Sequence, residues 1–200
     1  MILNELTQVP EAALPVAALK THLRMGSGFT DDGMQDGLMV SYLRAALTAI
    51  EGRIGKAVLS RRYRMVLDSW RDARVQSLPL APVSAIHSIN LFDADGMTGT
   101  VDPARYRLMS DPHRPKLVAN GASLPAVPPA GRVEIEFEAG FGADWAEIPA
   151  DLAQAVMLLS AEYYEMRHDG GMRVGAGLPS VILTLLERWR TVRVLGGGAA

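Results

Sequence analysis

The run VEIEFEAG, from Val133 to Gly140, constrains the fold more than any other stretch. Val133, Ile135, Phe137 and Ala139 alternate with Glu134, Glu136 and Glu138. Successive side chains of a strand point to opposite faces, so this period of two describes a strand with one apolar and one acidic face. A single strand cannot bury its apolar face alone, so the chain has to supply a sheet. The partners lie upstream. LSRRYRMVLDSW alternates Tyr63, Met65 and Leu67 against Arg62, Arg64 and Asp68. VSAIHSINLFDADG alternates Val83, Ala85, Ile89 and Leu91 and then reaches a turn at Asp95-Gly96. YRLM and PKLVA are short strands, and prolines at 79, 82, 125, 128 and 129 punctuate the block.

On either side of this block the period changes. Val16, Leu19 and Leu23 mark a first helix; Met39, Leu43, Ala46, Leu47, Ile50 and Ile54 mark a second, longer one. TDD, at 30–32, suits the start of that helix, and Gly55 its end, with Lys56 placed for the negative pole of the dipole. After Gly140-Phe141-Gly142, Pro149 and Asp151 open a third helix. Its stripe of Leu152, Val156, Leu159, Tyr163 and Met166 is widened by Met157, Leu158, Ala161 and Tyr164. A helix that apolar packs on two sides. LPSVILTLLERWR is a last helix, with Leu178, Val181, Ile182, Leu185 and Trp189 aligned. The reading is α+β: a helical unit of two N-terminal and two C-terminal helices, interrupted by a small antiparallel β module. Its parts are an N-terminal helical part (1–56), a β-rich module (57–142), a C-terminal helical part (143–190) packing with 14–56, and a flexible tail (191–200).

Composition removes whole classes of function. The 200 residues contain no cysteine, so there is neither a disulfide nor a thiolate metal site. A net charge of −2 supplies no global attraction for nucleic acid. The first residues lack a basic signal-peptide start, and no apolar run approaches the roughly 20 residues of a membrane span. The expectation is a soluble protein made in the cytoplasm, with no membrane partner.

The candidate chemical sites fail one by one. The glycine loop at 140–142 has Trp145 where a dinucleotide fingerprint needs its third glycine, and Pro149 removes a donor. DADGMTGTVD has its glycine fourth instead of sixth and lacks a closing glutamate, so it reads as a hairpin turn, not a calcium loop. Glu165 and His168 form half of a di-metal carboxylate motif whose other half is missing; they read as a solvated helix end. His87 reads as a core histidine on the apolar face of its strand, and His22 and His113 have no convincing partner. The acidic row 134–138 has the spacing of paired catalytic carboxylates, about 7 Å. It reads instead as a solvated face opposite Arg62 and Arg64, or Arg105 and Arg107, which explains the row without catalysis. No catalytic residue, metal or cofactor follows.

The order of the stretches resembles the head–tail connector, or adaptor, family of long-tailed phages and phage-derived gene transfer agents. LKTHLRM (19–25), LRAALTAIEGRIGK (43–56), LSRRYRMVLDSW (59–70) and LPLAPVSAIHSINLFDADG (78–96) carry the resemblance. YRLM (106–109), VEIEFEAGFG (133–142), IPADLAQAVMLLSAEYYEMR (148–167) and LPSVILTLLER (178–188) continue it. The resemblance implies a non-enzymatic subunit of a ring, commonly of twelve copies, beneath the portal protein at the head–tail junction. Such a ring continues the DNA channel without reading sequence, docks a tail-side stopper or completion protein, and is made in the host cytoplasm. It also implies that the C-terminal segment reaches the portal, which here falls on Arg190, Val192, Arg193, Val194, Leu195 and Gly196. The over-wide third helix offers Met157, Leu158 and Tyr164 to a neighbouring subunit, with Tyr163 turned into the subunit's own core. Two rival readings are a hydrolase with its carboxylates on 133–138 and a nucleic-acid-binding packaging factor.

Overall fold

The computed structural model describes residues 1–25, 35–96, 98–167 and 177–190. Two apolar cores organise them. The first is helical. Helix α1 (Val16–His22), α2 (Asp36–Ile54), α3 (Ala150–Met166) and α4 (Ser180–Leu186) pack so that all six stripe residues of α2 are buried. Leu152, Val156 and Leu159 face them from α3. Helix α2 ends at Gly55, whose φ of 67° is left-handed, the conformation a glycine cap adopts without penalty.

The second core lies between two antiparallel sheets. The larger runs β1 (Ile2–Glu5), β2 (Arg61–Leu67), β8 (Arg132–Ala139), β4 (Val83–Phe92), β5 (Thr98–Thr100), in that spatial order. The smaller runs β3 (Val75–Ser77), β7 (Lys116–Ala119), β6 (Tyr106–Met109). Strand β8 is central, with Tyr63 opposite Phe137 and Met65 opposite Ile135 on β2, and Ile89 opposite Ile135 on β4. These side chains meet Leu117, Ala119 and Tyr106 of the small sheet. Strand β4 folds back on β5 through a turn containing Gly96 at φ 82°, which is the hairpin expected at DADG.

Three local readings are corrected. Residues 2–5 lie in the stretch read as helical, yet they add an edge strand to the large sheet, Leu3 opposite Met65. On β4 the register shifts between Val83 and Ala85 and again between Ile86 and Ser88. Each bulge displaces the alternation by one residue, so Ile86 replaces Ala85 opposite Phe137 and His87 turns outward to Glu138 at 3.2 Å. His87 is therefore no core histidine. On α4 and the 3-10 turn that follows it (Glu187–Trp189) the inward residues are Ile182, Leu186 and Trp189, while Val181 is 55% exposed. Leu178 and Leu185 are partly buried, so of the expected stripe only Val181 faces outward, and Leu186 joins the buried side.

Candidate functional site

The corner after β8 is built from backbone. The Gly140 N–H donates to the Pro82 carbonyl and the Phe141 N–H to the Val58 carbonyl, both at 3.0 Å; the Gly142 carbonyl accepts from Ser60. Those are the donors a phosphate would need, and they are already engaged. Gly140 has φ 143°, and a Cβ there would overlap the Ser60 backbone. At Gly142 a Cβ would collide with the Glu147 side chain, whose carboxylate caps the Asp144 N–H at 3.0 Å. The glycines exist to let the β module join the third helix closely.

The acidic row is an ion-pair ladder. Arg64 on β2 reaches Glu136 at 2.6 Å and Glu134 at 3.5 Å, Arg132 reaches Glu134 at 2.9 Å, and His87 meets Glu138. Arg62 and Arg64, opposite Glu138 and Glu136, are the facing arginines, not Arg105 and Arg107; those two belong to the turn before β6 and to β6 in the small sheet. Glu134 and Glu136 are tied to arginines and Glu138 to the His87 ring, an arrangement that stabilises the sheet face and leaves no pair converging on open space. Among the described residues no three His, Asp or Glu side chains gather as a metal site. Glu165 is exposed on α3, and His168 lies outside the described residues.

The buried charged side chains among the described residues, Lys56 and Arg61, sit where the two cores meet. Arg61 is 9% exposed and bridges three elements: Nη2 to Glu51 of α2 at 2.5 Å, Nη1 to Glu5 of β1 at 3.2 Å, and Nε to the Leu59 carbonyl. Glu51 also accepts the Val58 N–H at 2.7 Å. Burial pushes the Glu51 carboxyl above its usual range, with Arg61 pulling it partly back. Burial likewise raises the Tyr63 phenol, which lies under the Arg61 guanidinium. Lys56 is wholly buried instead of lying solvated at the end of α2; its ammonium donates to the Pro112 carbonyl, and burial lowers its affinity for the proton. Sequence reasoning named neither function. Glu51 was legible, since it falls four residues after Leu47 on the apolar stripe, and Arg61 shares the inward parity of Tyr63. Nothing local marked Lys56.

The helical surface carries the residues expected at an interface. Met157, Leu158 and Tyr164 are all partly buried on α3. Tyr164 packs edge-on against Tyr42 of α2, ring centres 6.2 Å apart, and Arg167 lies over its ring. Tyr163 is also only partly buried, so it does not enter the core as expected. Leu158, Ala161 and Met166 line an open groove with His22, Val181 and Ile182. At the end of α4, Trp189 is buried: its Nε1 donates to Asp151 at 2.8 Å, and its ring meets Phe141 at 5.0 Å. This fastens the C-terminal helix to the glycine corner. Arg190 follows, exposed; Val192, Arg193, Val194, Leu195 and Gly196 lie outside the described residues. No helix among those described is long and apolar enough to cross a membrane.

No family model matches the chain, and no curated protein matches it. Solved structures do. A chain from the neck of an empty GTA particle computed with C6 symmetry is 54% identical, with TM-score 0.89, over 98% of this chain and 99% of that one. A chain from the virion of a native gene transfer agent (GTA) particle is 54% identical with TM-score 0.85, at the same coverage. A third, from the neck of a native GTA particle computed with C12 symmetry, is 51% identical with TM-score 0.84 over 98% and 99%.

Proposed function

Because the chain belongs to the head–tail connector family of gene transfer agents, we propose that it is a ring subunit seated below the portal protein, continuing the DNA channel and docking a tail-side stopper. Its role is structural. The observation that carries this reading is the end-to-end match, at 51–54% identity, to chains of particle necks, one of them computed with C12 symmetry. The site chemistry supports it, since Glu134 and Glu136 are held in ion pairs with arginines and Glu138 is hydrogen-bonded to His87. The partly buried apolar side chains of α3, Met157, Leu158 and Tyr164, are the surface we assign to the neighbouring subunit. Residues Arg190, Val192, Arg193, Val194, Leu195 and Gly196 are assigned to the portal. They follow the Trp189 fastening in sequence, starting at the exposed Arg190, and an open partner edge or groove suits a segment of that apolar composition.

Deletion of residues 191–200 tests the assignment. The truncated protein keeps its melting temperature but fails to join heads to tails, giving tailless particles by electron microscopy. Normal yields of tailed particles with the truncated chain refute a portal anchor there.

A further inference from the structure

The small sheet has an outer face that the ion-pair ladder does not touch. Its inward residues, Gln76, Leu117, Ala119 and Tyr106, are buried. Pairing sets two outward rows across the strands: Val75, Val118 and Arg107, then Ser77, Lys116 and Met109. The Arg74 carbonyl accepts from Ala119 and the Arg105 carbonyl from Asn120, so these two exposed arginines bracket one end of β7. They stand two strand spacings apart, about 10 Å.

The charge is one-sided. Segments 71–77 and 102–119 together hold six Lys or Arg and three Asp, while the whole chain has a net charge of −2. The three carboxylates face their own backbone. Asp72 caps the N–H groups of Arg74 and Val75, Asp102 that of Ala104, and Asp111 those of His113 and Arg114. Among the described residues the side chains of Arg71, Arg74, Arg105 and Lys116 make no hydrogen bond or ion pair. Arg107 is held across the sheet by Asn120 at 3.2 Å, which leaves most of its donors outward. The outer rows contain no aromatic anchor of the kind protein interfaces concentrate on, and Trp70 is turned inward to the Pro125 carbonyl. Five of the six cations are arginines, whose planar fork fits phosphate oxygens in pairs.

We propose that this face, centred on Arg105, Arg107 and Lys116 with the exposed Arg74 at its edge, contacts the sugar–phosphate backbone of duplex DNA without reading its sequence. The proposal rests on the neck reading, in which many copies of the face meet one DNA. A single copy binds weakly, in the roughly 10⁻⁴–10⁻⁶ M range of non-specific contacts.

The test uses the full chain and labelled 20-base-pair duplexes of two unrelated sequences, followed by anisotropy between 20 and 200 mM salt. The expected result is equal binding to both sequences. The logarithmic salt slope should fall by about 0.9 for each phosphate contact removed in an Arg74→Gln/Arg105→Gln/Arg107→Gln/Lys116→Gln variant. Equal binding by wild type and variant overturns the proposal, as does tighter binding of polyglutamate than of DNA, which makes the face a docking site for an acidic protein. In particles, a variant that keeps the neck but transfers genes poorly supports it; a variant lost from the neck overturns it. A wild-type chain absent from particles defeats the neck reading, yet leaves the anisotropy result standing.

Discussion

Replacing Arg61 with alanine should be among the most damaging single changes outside the apolar cores. Arg61 is the only cation touching Glu51 among the described residues, and Glu51 has 15% of its side chain exposed. Removing one partner of a buried pair leaves the other charge uncompensated, which costs about 3–5 kcal/mol. Glu51 keeps one compensation, the Val58 N–H. The loss depends on pH with a definite sign. Burial already raises the Glu51 carboxyl above 4.5, and taking away Arg61 removes the influence that lowers it. A carboxyl raised in the folded state stabilises below its unfolded value, and that stabilisation is lost as pH climbs through the folded one. The deficit of Arg61→Ala is therefore full at pH 8 and shrinks toward pH 4.5. Urea unfolding followed by circular dichroism at pH 5 and 8 measures both numbers. The double change Glu51→Gln/Arg61→Met removes both charges, keeps an acceptor for Val58, and should recover to within about 1 kcal/mol of wild type. A loss below about 1 kcal/mol at pH 8, or the same loss at both pH values, refutes the reasoning.

Two more expectations follow from the corner and the ladder. Gly140→Ala should cost about 2–4 kcal/mol, combining a left-sided φ with overlap onto Ser60, whereas Gly52→Ala, with open space around it, should be neutral or stabilising; thermal melts compare the two. Replacing Glu134, Glu136 and Glu138 together with glutamine should cost at most about 1 kcal/mol per exposed pair and leave particle assembly intact. A hydrolytic activity of the purified protein that disappears in this triple variant would return the row to catalysis.

The sequence by itself determined the kind of each long element and the face it buries. The α2 stripe and the β8 alternation each span many residues, so their periods survive local irregularity, and all six α2 positions and all four β8 positions are buried. Spacing alone also told against the phosphate and calcium loops, and the structure folds those stretches as a corner of engaged backbone donors and a hairpin. Tertiary structure decided what periodicity cannot encode. Strands of three or four residues, β1 and β3, contain at most two periods, and only pairing with β2 and β7 makes them strands. The bulges of β4 answer to the register of β8, and they carried His87 from the expected core to the surface. Lys56 and Arg61 became buried because two cores, distant in sequence, close around them, and a charge is buried only where folding has brought partners from elsewhere in the chain: Pro112 for one, Glu51 and Glu5 for the other.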